Sequence, residues 1–241
     1  MSMNKKKEFG KKKSRERLDI GKIVHAAIAL LDESGLEQLS TRRLADALGI
    51  RSASLYWHVS DKAELLQWIA DHICGRLELP NPNLAWQDQV LAFARNYRTV
   101  LLSVRDGAEI LLATPPFTPN RLALMESMFN SLVKAGFPRQ EIVMASMLVN
   151  DYVLSFVKNE SRMTPDRIQP SLLAAEDDDA QTGPYDPRSL ERYPTLSSLL
   201  PYMLRVHTDE HFEYGLNVLL GSLERRVNPS GLPPDKWVDE S

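Results

Sequence analysis

Between Leu48 and Leu65 the chain reads LGIRSASLYWHVSDKAEL, so that Arg51, Ser52, Ala53 and Ser54 lead directly into Leu55 and a run of Tyr56, Trp57 and His58. Chemically this is a set suited to a duplex. An arginine fork matches guanine, serine hydroxyls donate or accept, an alanine methyl can meet a thymine methyl, and amphipathic aromatics can lie along sugar and phosphate. Successive residues of a helix point about 100° apart, so three large side chains in a row cannot all be buried. Leu55 is expected inward, with Tyr56, Trp57 and His58 along the wall of a groove. Cations flank the segment: Arg42 and Arg43 fall in the first turn of the preceding helical pattern and Lys62 in the first turn of the following one. A cation at a helix start is misplaced by a few tenths to about 1 kcal/mol. A phosphate shared between that cation and the exposed N–H groups reverses the penalty. Two phosphate-gripping helix starts would thus hold a short reading helix in the major groove.

The elements that must position these residues are helical. Ile20, Ile23, Val24, Ala27, Ile28, Leu30 and Leu31 share one face, with Asp19 as N-cap and Gly35 as a left-handed stop. STRRLADALG starts at a Ser/Thr cap, stops at Gly49 and turns Leu44, Ala45 and Leu48 inward. A third helix is predicted over Ser52 to His58, and Ser60 or Asp61 opens a fourth, with Glu64 three residues after Asp61 to complete a capping box. The second and third, joined by the tight turn GIR, have helix-turn-helix spacing. Beyond LPNPN (79–83) longer patterns follow: Trp86 to Val104, Arg121 to Ala135 with Gly136 as stop, a long apolar helix over Arg139 to Glu160 expected to be buried on two sides, and a last one from about Tyr202 or Asp209 to Arg226. No alternating strand pattern occurs. The predicted fold is all-α: an N-terminal three-helix helix-turn-helix domain over 18–65 and a larger helical domain over 66–228, with a basic arm at 1–17, a mobile loop at about 161–194 and a tail at 229–241.

Composition narrows the function classes. With 241 residues, 43% of them apolar, the chain can build a sizeable core, and no run approaches the roughly 18 apolar residues of a membrane helix. The one cysteine, Cys74, reads as a small buried hydrophobe and fits a reducing, cytoplasmic compartment. Residues 1–62 hold 13 Lys and Arg against 8 Asp and Glu, whereas the rest holds 16 against 24. A basic head on an acidic body points to a polyanionic partner for the head. The segment KKKEFGKKKSRER (5–17) reads either as a solubilising arm or as one that tracks phosphate. Catalysis finds no support: there is no glycine-rich phosphate loop and no nucleophile elbow. His207 and His211 are spaced i, i+4, but Asp209 and Glu210 mark that stretch as surface, and no metal or cofactor is expected.

LSTRRLADALGIRSASLYWHVSDKAEL, within a dense match over residues 18–66, resembles the DNA-binding domain of the tetracycline-repressor (TetR) family, and LYWHV (55–59) resembles its tetracycline-repressor branch. By position, the resemblance implies DNA contacts at Thr41, Arg42, Ser52, Ala53, Ser54, Tyr56, Trp57, His58 and Lys62. It further implies a homodimer on a palindromic operator, paired through the helices 139–160 and 209–226, and a small-molecule effector held in the body. Trp86, Arg105, Asp106, Gly107 and Ala108 match the family's body domain, and Tyr97 and Thr114 are retained at ligand-contacting positions. Where tetracycline-binding members carry a His and an Asn on the drug and a His on its magnesium, Glu78, Phe93 and Leu111 stand instead. A leucine cannot ligate a cation. With Phe117, Met128 and Met147, and with Asn150 and Asp151 interrupting an apolar helix, the expected pocket is apolar and Met-lined, suited to a greasy or flat aromatic effector. The reading is of a ligand-responsive repressor, set against a ligand-independent architectural DNA binder and an α-helical enzyme.

Overall fold

A computed structural model describes residues 18–162, 192–203 and 209–227. The basic arm, most of the expected loop, the tail and His207 lie outside the described residues. Every described element is helical: α1 (Ile20–Ser34), α2 (Thr41–Ala47), α3 (Ser52–Leu55), α4 (Lys62–Cys74), α5 (Trp86–Leu102), α6 (Gly107–Leu112), α7 (Pro119–Lys134), α8 (Arg139–Arg162), α9 (Pro194–Met203) and α10 (Asp209–Val227), with a 3₁₀ turn at Leu36–Gln38.

In the head, α1 begins where the Asp19 carboxylate accepts the Lys22 N–H at 2.9 Å, and it buries Ile23, Val24, Ala27 and Leu31. Gly35 has φ 78° but an extended ψ of 171°, so the chain leaves α1 abruptly instead of completing a left-handed turn. Helix α2 starts on Ser40 and ends at Gly49, whose φ of 64° is the left-handed conformation that the sequence requires there. Helix α3 is shorter than predicted. Its four residues give way to a turn in which the His58 and Val59 N–H groups both donate to the Leu55 carbonyl, at 2.9 and 3.0 Å. The capping box of α4 is displaced by one residue: Asp61 accepts the Glu64 N–H at 2.8 Å, but the Glu64 carboxylate reaches back to the N–H and hydroxyl of Ser60. Those two bonds hold the Glu64 carboxyl below the usual carboxylate range.

In the body, α5, α6, α7 and α8 pack around one another, and α10 lies on α8. Helix α7 closes with a Schellman motif: the Phe137 N–H bonds the Leu132 carbonyl, the Gly136 N–H bonds that of Val133, and Gly136 takes φ 87°. Phe137 then meets the edge of Trp86 at 5.1 Å, which ties the start of α5 to the end of α7. The α8–α10 seam depends on Gly215, because a Cβ there would occupy the space of the Tyr152 ring, whose hydroxyl donates to the Phe212 carbonyl at 2.8 Å. Periodicity sets Leu122, Met125, Met128, Phe129 and Leu132 on one face of α7; the structure keeps Met128 and Leu132 buried, adds Leu124 and Ser131, and leaves Leu122 exposed, because the neighbouring helices cover a partly rotated face. Helix α8 is covered by α5, α6 and α7 and, through Tyr152 and Phe156 against Phe212, by α10, while Val143, Met144, Met147 and Leu148 in its first half are exposed. Helices α6 and α9 have no counterpart in the predicted elements; α6 has six residues, too few to show a period.

Helix α4 belongs to both halves. It packs on α1 in the head and on α6 and α7 in the body, and Leu65, Ile69, Ala70 and Ile73 are wholly buried. Truncating Ile69 to Ala should therefore cost about 2–5 kcal/mol, read as a lowered denaturation midpoint; a loss under about 0.5 kcal/mol would contradict this shared core. His72, near the end of α4, lies edge-on to His25 of α1 with ring centres 5.0 Å apart. Burial, then the charges of His25 and Arg76, hold its pKa below the ordinary value, against the opposing pull of Asp71. A histidine lowered in the folded chain is protonated first in the unfolded one. Its stabilisation is therefore complete above about pH 6.5 and is lost as the pH falls below that value. His72→Gln should flatten the fall in melting temperature between about pH 7 and about pH 5.5; parallel slopes for the variant and the natural chain would refute it.

Candidate nucleic-acid interface and body cavity

The core of the head dictates what its tip presents. Leu44, Ala45, Leu55 and Val59 are completely buried against α1, and so the residues between Leu55 and Val59 are pushed out. Trp57 is 88% exposed and Tyr56 52%, large apolar surfaces at the end of a small domain whose other apolar groups are mostly covered. His58 is half-buried, while Arg51, Ser52, Ala53 and Ser54 are all exposed. The Tyr56 hydroxyl lies 3.4 Å from that of Thr41, which joins the start of α2 to the same surface. Arg42 is exposed and pairs with no acidic group among the described residues.

Two of the three expected phosphate cations are turned inward. The Arg43 guanidinium donates to the Gln38 carbonyl at 3.0 Å, and the Lys62 ammonium donates to the Leu36 carbonyl at 3.0 Å. Both carbonyls belong to the 3₁₀ turn: that of Leu36 also accepts the Leu39 N–H at 3.3 Å and takes Lys62 on its second lone pair, and that of Gln38 takes Arg43. The crowding of cations at the starts of α2 and α4 is therefore explained within the chain for Arg43 and Lys62, and it leaves Arg42 and Thr41 as the outward groups.

Head and body are clasped at a second place. Arg105 donates to the carbonyls of Asp32 and Glu33 at 3.1 and 3.3 Å, capping the end of α1, and the Asp106 carboxylate accepts the Leu36 N–H at 2.7 Å. Asp106 pays for this position with a left-handed backbone, φ 59°. A polar cleft of about 780 Å³ runs beside the clasp, between the Leu36 turn, α6 and the end of α8.

A second, apolar cavity of about 380 Å³ opens between α5, α6, α7 and α8. Of the expected effector residues it gathers Phe93, Tyr97, Leu111, Met128, Met147, Asn150 and Asp151. Three do not line it. Glu78 sits exposed after α4 with its N–H on Asn96, Phe117 is 74% exposed on the surface, and Thr114 is buried outside the lining with its hydroxyl on the Ile110 carbonyl. Position along the chain misled for these because the turns after α4 and α6 carry them off the cavity axis. Burial raises the Tyr97 phenol, whose hydroxyl faces Asn150 Oδ1 at 3.4 Å, and pushes the Cys74 thiol up to about 12, so the thiol lines the wall as an inert hydrophobe.

Sequence reasoning missed Ser146, whose buried hydroxyl has no partner among the described residues, and Arg121. Arg121 Nη1 donates to the Thr114 carbonyl, the Thr114 hydroxyl and the Pro115 carbonyl at 2.8–3.1 Å, and Nη2 donates to the Leu111 carbonyl at 3.2 Å. A signal existed: Arg121 is a cation in the first turn of α7, the same anomaly that singled out Arg42. Its neighbour Asn120 reaches α4, where the Asp71 carboxylate accepts both the Asn120 N–H at 2.8 Å and its side-chain amide at 2.9 Å.

The chain matches two family models: bacterial regulatory proteins of the tetR family over residues 23–69, and the tetracycline repressor-like C-terminal domain over 79–227. An HTH-type transcriptional regulator of Saccharopolyspora erythraea is 40% identical over 141 residues, an alignment that spans 58% of this chain and 60% of that one. Among solved structures, ActR of Streptomyces coelicolor in complex with actinorhodin superposes with a TM-score of 0.73 at 28% identity, covering 88% of this chain and 99% of that one. The regulator BioQ with its double-stranded DNA operator gives 0.56 at 33% identity, covering 66% and 96%. With an exposed aromatic tip on a helix-turn-helix head, an apolar cavity in the body and the body model spanning more than half of its residues, the chain belongs to the tetracycline-repressor (TetR) family of transcriptional regulators.

Proposed function

We propose that this regulator is a ligand-responsive repressor of the cytoplasm that grips a palindromic operator as a two-fold dimer and is released when a small apolar or aromatic molecule enters the cavity of the body. The observation that carries the reading is the pair Tyr56 and Trp57, held outward by the burial of Leu55 and Val59 beside the exposed Arg51, Ser52, Ala53 and Ser54. In a helix-turn-helix the N-terminal residues of the second helix meet base edges. In this reading residues 51–54 meet the bases, and Thr41, Arg42 and Tyr56 meet the backbone beside them; the exposure of Arg42 and of residues 51–54 and the 3.4 Å approach of the Tyr56 and Thr41 hydroxyls support it.

Met144 and Leu148 of α8 and Tyr214 and Val218 of α10, two helices packed on each other, expose apolar side chains. Pairing of these side chains with those of a second copy supports the dimer, and a two-fold dimer places its reading helices one duplex turn apart. For release, a ligand must favour a conformation whose heads no longer fit adjacent major grooves. The Asp71–Asn120 bonds offer a route, since they fix the end of α4 to the start of α7, which walls the cavity.

A nuclease footprint with the purified chain tests the reading: protection of a palindrome at physiological salt is expected, and uniform, sequence-blind protection would refute it. Tyr56→Ala should weaken operator binding more than about tenfold, the scale of one lost contact, without changing the melting temperature; undiminished binding would remove the aromatic tip from the interface. Val218→Glu should convert the dimer to a monomer in sedimentation and abolish the footprint, whereas a variant that remains dimeric would displace the pairing face from α10.

A further inference from the structure

We infer that the ligand of the body cavity carries an ionised acid group, a carboxylate, sulfonate or acidic phenolate, on an otherwise apolar frame, and that Arg121 binds this group. The inference rests on the reading of the cavity as the effector site. Arg121 is half-buried in a lining that also holds Phe93, Leu124, Met128 and Phe129, apolar groups that cannot bond its charge. All its partners are neutral oxygens: three carbonyls and one hydroxyl at the end of α6. A helix end supplies about half a negative charge, so a full cation is left incompletely balanced. No carboxylate lies within ion-pair distance of it among the described residues.

The unused part of the guanidinium has a shape. Nη1 carries most of the bonds, Nη2 has one, and Nε–H donates to nothing among the described residues. Nε and Nη2 form the side-on edge through which an arginine grips a carboxylate or sulfonate, and on this edge Nε–H is open. The opposing charge in the lining is Asp151, which is exposed to solvent and already accepts the Asn150 amide at 3.2 Å, so water screens it from the interior. Ser146, with its unpartnered hydroxyl in the same wall, supplies a further donor.

Two dyes of one frame test the inference on the full chain: 1-anilinonaphthalene-8-sulfonate and its uncharged counterpart N-phenyl-1-naphthylamine. Arg121→Gln should raise the dissociation constant of the sulfonate dye about tenfold or more, the loss of a charge-assisted bond, and change that of the neutral dye less than about twofold. Arg121→Lys, which keeps the charge and loses the fork, should fall between. Should the ratio of the two affinities be the same in the natural chain and both variants, or should the variants lose both dyes alike, Arg121 serves only to cap α6 and the inference is overturned. Ser146→Trp, which fills the cavity, separates this from the reading beneath it. If the filled variant excludes both dyes while the ratio ignores Arg121, the charge assignment alone falls; if the dyes do not bind, or bind the filled variant equally well, the effector cavity falls with it.

Discussion

A single helix, α4, is buried from both ends, and the rest of the molecule is arranged around that fact. Its upper residues Leu65 and Ile69 help close the core beneath the helix-turn-helix, while Ile73 and Cys74 face α6 and the cavity of the body. A side chain without solvent exposure can shift only if its neighbours shift with it, since close-packed interiors have few gaps to yield. Polar contacts add direction to this coupling. Asp71 takes the backbone N–H and the side-chain amide of Asn120 in the first turn of α7, and Arg105 and Asp106 take the end of α1 and the turn after it. Head and body are therefore joined by one shared core and two sets of bonds to helix ends, whose orphan groups are the ones most in need of partners.

The outward tip of the head follows from exclusion. Once Leu44, Ala45, Leu55 and Val59 fill the small core, the turn at 56–58 has no interior left to occupy. The exposure of Trp57 is a geometric remainder of that packing. Charge is a poorer guide. Arg43 and Lys62 were marked by the same electrostatic anomaly as Arg42, yet their side chains settle on the carbonyls of the turn at Leu36–Gln38. A helix-start cation signals an unmet electrostatic need, and a nearby loop carbonyl meets it as well as a phosphate does.

The same ambiguity runs through the cavity. Phe93, Leu111 and Met128 could be recognised in the sequence as apolar and of suitable size, but so could Phe117, which the turn after α6 sends to the surface. Thr114 is near the cavity in chain position and is instead consumed by the end of α6. Arg121 bears the mark that helped pick out the residues of the head, and its place beside the cavity depends on how α7 packs against α4, α5 and α8. That packing joins segments far apart in sequence.

Periodicity and caps by themselves determined that the chain is all-helical, where α1, α2, α4, α5 and α8 start, and that at least one of Tyr56, Trp57 and His58 must point outward. These are local consequences of helix geometry and of hydrogen-bonding side chains at fixed offsets. The tertiary structure decided which face of α7 is buried, that α8 keeps an uncovered apolar side, that α6 and α9 are helices, and which cations remain free to meet an anion. Each of those outcomes is a competition among partners for the same surface or the same carbonyl, and the winner is fixed by distances that exist only after the helices have packed.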